Sequence, residues 1–242
     1  MELHGTTALV TGGARRVGRA ISLALAGSGC DLVIHYGRSE SEAAATATEA
    51  ESLGARVAVV SADLGDPEAP NAVFDAAEGL APVQILVNGA SGFPHDTIRD
   101  VTPAGWDHTF AVTARAPALL TQEFARRLPG DLEGAVVSIT DWRTARPYRD
   151  HFSYTIAKGA LDTFTLAAAE ALAPRIRVNA VALGAILPPP GEDSDYLKAL
   201  AREIPLQRVG GTEPVTEAVL FLLRSHFMTG EIVRLDGGAH LR

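Results

Sequence analysis

From Thr7 to Leu235 the chain alternates short apolar runs with longer stretches whose apolar residues fall at helical spacing, and this alternation limits its fold more than any other feature. Thr7–Val10, Asp31–His35, Arg56–Ser61, Ile85–Val87, Ala135–Ile139, Arg177–Ala182 and Glu231–Leu235 read as strands. Most are nearly continuously apolar, as strands buried on both faces must be. Val17–Gly27, Ser41–Leu53, Pro67–Gly79, Pro103–Leu128, Tyr154–Ala173, Leu197–Glu203 and Glu213–Arg224 read as helices. Asp66 is placed to cap the third, with Pro67 at its first position, and Pro174 stops the fifth. The fourth is expected to bend near Pro117, which removes a backbone donor. The pattern predicts an α/β, doubly wound Rossmann fold: a parallel sheet with helices on both faces. The 242 residues suit one domain, with no repeat, linker or low-complexity tail. Pro188–Pro190 with Gly191 is the strongest breaker cluster, and inside such a domain it suggests a loop over a site.

Composition narrows the partners. Lys and Arg number 21 against 29 Asp and Glu, a formal charge of −8, and an acidic surface repels nucleic-acid phosphates. With one cysteine, Cys30, there is no internal disulfide, and its apolar setting reads as a small buried hydrophobe. No apolar run approaches the ~20 residues of a membrane span. Met1–Thr7 lacks the basic segment and apolar core of a signal peptide, so a cytoplasmic location is the expectation. The seven histidines do not cluster at ligand spacing, which argues against a metal site.

Residues 11–19 read Thr-Gly-Gly-Ala-Arg-Arg-Val-Gly-Arg and join the first strand to the first helix. A dinucleotide pyrophosphate needs close backbone approach and free N–H groups at a helix start. Gly12 allows the tight turn and Gly18 lets the helix sit close to the sheet. The end of the second strand distinguishes the cofactors. An acid there suits the ribose hydroxyls of NAD, and a cation suits the 2′-phosphate of NADP. This chain has His35-Tyr36-Gly37-Arg38-Ser39, in which Arg38 can pair with the phosphate and Ser39 can donate to it, so NADPH is expected.

Tyr154 and Lys158 stand at i and i+4 and share a helical face. On spacing alone this is an ordinary surface pair. Beside a cofactor turn it becomes an acid–base candidate, because an ammonium near a phenol lowers a pKa that is otherwise near 10.

Taken together, Thr11–Gly18, Asn88-Gly89-Ala90, Tyr154-xxx-Lys158 and Arg177-Val-Asn-Ala-Val-Ala resemble the short-chain dehydrogenase/reductase family, in order and over essentially the whole chain. The resemblance implies a seven-stranded parallel sheet and a homotetramer. It implies that Tyr154 donates the proton while Lys158 holds the cofactor ribose and tunes Tyr154. Asp63 and Leu64 are then expected to flank the adenine, and Asn88-Gly89-Ala90 to pass under the cofactor. The same likeness puts Arg15, Val17, Thr140, Gly184 and Ile186 in the cofactor site.

The departures from the family pattern point to a subgroup. Arg16 stands where the family usually has glycine, and Asp141, in Ser138-Ile-Thr-Asp141, where it usually has serine. Both changes resemble the pteridine and dihydromonapterin reductases. So do His35-Tyr36-x-Arg38-Ser39, Ala90-Ser91-Gly92-Phe93 and the ending Leu235–Arg242. There the residue matching Arg16 reaches cofactor phosphate and the pterin edge, and the aromatic matching Phe93 stacks on the pterin. Ser91, Phe93, Asp141 and Tyr154 join Arg16 as expected substrate contacts. Alternatives stay open: Asp141 as a capping carboxylate, Phe93 as core packing, and Trp142 as a pocket lining or a mere cover. Thr113 replaces the family's helix asparagine, Leu183-Gly184 its Pro-Gly, and the Pro188–Asp195 loop is shaped differently. The expected activity is NADPH-dependent reduction of a 7,8-dihydropterin to its tetrahydro form, with hydride to the imine carbon and a proton from Tyr154 assisted by Lys158 and Asp141. The alternative is a carbonyl reductase or alcohol dehydrogenase acting on a sugar, a 3-oxoacyl thioester or a steroid. A cofactor-sensing binding protein is disfavoured, because Tyr154 and Lys158 are both kept.

Overall fold

The computed structural model describes residues 1–188 and 194–241. Seven strands, β1 (Thr7–Thr11), β2 (Asp31–Tyr36), β3 (Val57–Ser61), β4 (Val83–Asn88), β5 (Gly134–Asp141), β6 (Ile176–Leu183) and β7 (Ile232–Leu235), form one sheet in the order β3-β2-β1-β4-β5-β6-β7. Every pairing is parallel. The winding direction reverses between β1 and β4, where Thr11 lies beside Asn88. A crevice opens at such a switch point, outside the carboxyl ends of the strands.

The continuous apolar runs are explained by two cores, one on each face. Ala8 and Val10 of β1 enter one core and Leu9 the other; β2 divides in the same way, Leu32 and Ile34 against Val33. Successive strand side chains point to opposite faces, so a strand buried on both must be apolar throughout. Helices α1 (Arg16–Gly27), α2 (Glu40–Ser52) and α8 (Glu213–Arg224) cover the first core. Helices α3 (Ala69–Asp75), α5 (Ala116–Arg127) and α6 (Phe152–Leu172) cover the second. Helices α4 (Pro103–Phe110) and α7 (Ser194–Ala201) complete the set. Cys30 is buried and free. Among the described residues no helix is long and apolar enough to cross a membrane.

Three local expectations change. The helix expected at 67–79 is only Ala69–Asp75. Asp66 does not cap it; its carboxylate instead accepts the Glu68 N–H at 2.9 Å, forming a turn before the helix. The segment beyond tightens into i→i+3 bonds, Ala77 to Phe74 and Glu78 to Asp75, before Gly79 at φ +89°. The long helix at 103–128 is interrupted by a π-helical turn, Ala111–Arg115, in which the Ala116 N–H reaches back to the Ala111 carbonyl. Pro117 has no N–H to offer, and the wider turn accommodates the break. Strand β5 runs two residues further than expected, pairing Thr140 with Ala182 and Asp141 with Leu183, which carries Asp141 to the sheet's carboxyl edge. Of the breaker loop, residues 189–193 lie outside the described residues.

The glycine turn is the tightest point of the fold. Gly12 has φ +65°, and a Cβ there would stand 3.0 Å from the Ala90 Cα. A Cβ on Gly18 would lie 2.0 Å from the Gly12 carbonyl oxygen, which is backbone and cannot step aside. Gly18→Ala is therefore expected to cost about 3 kcal/mol of stability. Urea denaturation checks this: the midpoint falls while the slope is unchanged, and a midpoint like the parent's refutes it.

Candidate active site

A cavity of about 1120 Å³ runs along the carboxyl edge of the sheet, from the glycine turn to the start of α6. At one end the turn is held by side chains from neighbouring strands. The Gly12 N–H donates to His35 Nδ1 at 3.2 Å, and His35 Nε2 donates to the Ala62 carbonyl at 3.0 Å. These two bonds fix one neutral tautomer, and burial pushes the His35 pKa down in agreement. Thr11 Oγ1 accepts the N–H groups of Gly89 (3.0 Å) and Ala90 (3.2 Å), tying the end of β1 to the loop after β4. Arg15, Arg16 and Arg38 line this end with Ser39, Asp63 and Leu64. Among the described residues Arg15 and Arg38 have no carboxylate at ion-pair distance. A backbone cradle that no Cβ can enter, flanked by unpaired cations, fits a dinucleotide with an extra phosphate. Arg16 sits at φ +55° and donates to the Pro188 carbonyl at 2.5 Å, bridging the mouth of the cavity.

At the other end Tyr154 donates its hydroxyl proton to Asp141 Oδ2 at 2.9 Å, and Asp141 Oδ1 accepts the Arg143 N–H at 2.9 Å. Asp141 keeps part of its surface open to the cavity, but its carboxyl group is largely shut off from water, which raises its pKa. The buried Tyr154 pKa is pushed well above its ordinary value, first by burial and then by the Asp141 charge. Lys158 Nζ donates to the Ile139 carbonyl at 2.6 Å, and burial pulls its pKa down to about 8.

This corrects the expectation that Lys158 acidifies Tyr154. The ammonium lies 5.7 Å from the Tyr154 ring centroid and is held by a strand carbonyl, while the phenol proton is held by a carboxylate. The cation that opposes the rise in Tyr154 is Arg143. In this arrangement the phenol donates to Asp141.

Every expected site residue lines the cavity except Asn88: Val17, Gly89, Ala90, Ser91, Phe93, Thr140, Gly184 and Ile186 do so together with those already named. Asn88 stands behind the wall, with Nδ2 3.5 Å from Ser138 Oγ and Oδ1 buried without a partner. The Thr113 hydroxyl lies 3.3 Å from that of Ser91. Phe93 is 36% exposed, so it is not core packing. Its ring stacks on His151 at 3.7 Å and meets Tyr154 edge-on at 4.8 Å. Asp141 also caps the 3₁₀ turn Trp142–Thr144, so it both caps and holds the tyrosine. Trp142 lines the cavity.

Sequence reading assigned no role of its own to His35, Arg143, His151 or Asp96. The first three signal themselves only by standing beside motif residues. Asp96 has no local signal, yet it anchors the helix that carries Tyr154 and Lys158. Its carboxylate accepts Ser153 Oγ at 2.5 Å and the Ser153 N–H at 3.1 Å, and its carbonyl accepts the Phe152 N–H at 3.1 Å. These satisfy donors that a helix start leaves open.

A parallel sheet with a phosphate cradle at its switch point and an acid–base cluster at the same edge defines a dinucleotide-dependent oxidoreductase. The chain belongs to the short-chain dehydrogenase/reductase family; residues 12–240 match the family model described as enoyl-(acyl carrier protein) reductase. It is 35% identical over 246 residues to L-xylulose reductase of Bos taurus, covering 98% of each chain. It is 34% identical over 258 residues to versicolorin reductase of Emericella nidulans, covering 98% of this chain and 97% of the relative. Among solved structures it resembles FolM alternative dihydrofolate reductase 1 of Brucella canis complexed with NADP, with TM-score 0.95, 37% identity, and coverage of 100% of this chain and 96% of that one.

Asp96→Ala is expected to cost about 1–2 kcal/mol through the lost cap, read as a lower thermal midpoint. NADPH affinity is expected to stay at the parent value, because the cradle is at the other end of the cavity. An unchanged midpoint refutes the anchoring role.

Proposed function

We propose that the chain is an NADP(H)-dependent reductase of a pterin, taking a 7,8-dihydropterin to its tetrahydro form. The observation that carries the reading is the Tyr154–Asp141 hydrogen bond beside the half-exposed ring of Phe93. Reducing an imine needs hydride at carbon and a proton at nitrogen, and the bound cofactor supplies the hydride. Tyr154 holds the proton, and Asp141 holds Tyr154 toward the cavity. With its pKa raised, Asp141 can take up and pass on a proton in a range where a serine hydroxyl cannot. Lys158, fixed on Ile139, is placed to bind the cofactor ribose. His151 braces Phe93, whose exposed ring is the aromatic surface offered to a pterin. Arg38 and Ser39 take the 2′-phosphate, Arg15, Arg16 and Val17 meet the phosphates, and Asp63 with Leu64 flanks the adenine. Assembly as a homotetramer is part of the same reading; exposed Phe221, Phe227 and Leu166 offer apolar surface for it.

A second reading, a carbonyl reductase, is favoured by the names of the curated relatives, which include sugar and polyketide reductases. The two separate on a panel of dihydrobiopterin, dihydromonapterin and assorted ketones, followed by NADPH oxidation. The pterin reading expects turnover of pterins and a drop of about 100-fold or more in Asp141→Ser on them, within the usual worth of acid–base catalysis. Turnover of ketones alone sinks it.

The buried ammonium of Lys158 gives a pH dependence. Burial disfavours its charged form, so it is a cation below about 8 and neutral above. The kcat/KM of the free enzyme is expected to fall as pH rises through about 8, and Lys158→Arg to remove that fall. A flat profile between neutral and mildly alkaline pH shows that the charge is not needed.

A further inference from the structure

The substrate end of the cavity holds a cation whose charge bears on Tyr154 but whose side-chain donors the proton chemistry above leaves unused. Arg143 belongs to the 3₁₀ turn after β5, and its backbone N–H is bonded to Asp141. Its side chain makes no ion pair among the described residues, and its Nε is a buried donor with no hydrogen-bond partner. Aromatic rings hold it instead. Its Cζ lies 5.4 Å from the Phe93 centroid and 4.8 Å from the Tyr148 centroid, and Trp142 braces Tyr148 edge-on at 5.4 Å.

Cation–π contacts fix a guanidinium in place without consuming its N–H donors. Arg143 lines the cavity, and among the described residues no protein acceptor is bonded to its guanidinium, so the N–H groups on its open side are left for a ligand atom. The planar fork of a guanidinium matches a carboxylate through paired N–H bonds. The surrounding charge agrees. Arg146, Arg202 and Arg16 also line the cavity; the acids lining this end are Glu203 and Asp141, Asp150 lies close enough to act on Tyr148 and His151, and Asp141 is already bonded to Tyr154.

We infer that Arg143 anchors a carboxylate carried by the substrate, so that the enzyme prefers flat ring substrates with an anionic arm over otherwise similar uncharged ones. The inference deepens the pterin reading and rests on it for the nature of the ring, though not for the carboxylate.

The test compares ligands that differ in charge on the arm. Folate carries carboxylates and biopterin does not; binding of each to the enzyme–NADP⁺ complex is measured by calorimetry, and turnover of their dihydro forms by NADPH oxidation. The parent enzyme is expected to favour the carboxylated ligand, and added salt to erode the preference. Arg143→Gln is expected to weaken binding of folate by about tenfold or more, the worth of a charge-assisted bond, with binding of biopterin within about twofold and NADPH affinity at the parent value; turnover of both dihydro forms is read separately, because the Arg143 charge also bears on Tyr154. Arg143→Lys, which keeps the charge and loses the fork, is expected to fall between. Unchanged NADPH affinity shows that each variant is folded; should Arg143→Gln not fold, the Lys variant and the salt dependence carry the test. Equal loss on both ligands, or no loss, overturns the inference. If no pterin binds, the pterin reading fails on its own, and an aryl keto acid against its methyl ester repeats the comparison. A parent enzyme that prefers the acid in neither pair overturns the carboxylate anchor.

Discussion

The site depends on one hydrogen bond, from the Tyr154 hydroxyl to Asp141, because it joins the end of β5 to the first turn of α6. The same strand end holds Lys158 through the Ile139 carbonyl, and Thr140 Oγ1 lies 3.5 Å from the Lys158 carbonyl. Three consecutive strand residues thus set the height and rotation of one helix. Asp96 and the left-handed His151 fix its start from the other side. Removal from water raises the proton affinity of both carboxyl and phenol, and lowers that of the ammonium beside them. Such groups titrate as a set, so the proton between Tyr154 and Asp141 belongs to the pair.

The opposite end of the cavity is built from a different constraint. There the backbone must approach a phosphate, and side chains serve to hold the backbone. Gly12 and Gly18 remove atoms that would clash, while His35 and Thr11 bind the turn to the two strands on either side. The ends are assembled from distant stretches of chain, residues 11–39 and 138–158. They share one edge because the strand order reverses between β1 and β4, and every strand runs in the same direction.

How much of this is legible in the sequence follows from the range of each interaction. Burial on both faces writes itself into every strand, so the sheet and its strands could be read. The glycine turn is local, and so is the i, i+4 spacing of Tyr154 and Lys158. What that spacing cannot show is which partner each side chain finds. The phenol donates to Asp141 and the ammonium to the Ile139 carbonyl, and this depends on the register of β5 against α6. The two extra residues of β5 decide that register. Asp96 lies 57 residues from Ser153, and no periodicity signals such a cap. Asn88 fails in the opposite way: its place in a motif suggested the cavity wall, but it points to Ser138 behind it. Pro117 marked a break in its helix without saying that the break is a wider turn.

The carboxylate at position 141 bears on the substrate through the cost of losing the proton. When Tyr154 donates, a phenolate is left beside Asp141 in a poorly hydrated pocket, where two adjacent negative charges repel strongly. The acceptor must therefore be basic enough to draw the proton from a reluctant phenol. A carbonyl oxygen is a weak base and an imine nitrogen a much stronger one. With serine at this position the phenol would have no such neighbour, and a weak acceptor would suffice. On the proposed pterin reading, the carboxylate that would make Tyr154 a poor partner for a ketone is tolerable, and useful as a proton store, for a ring reduced at C=N.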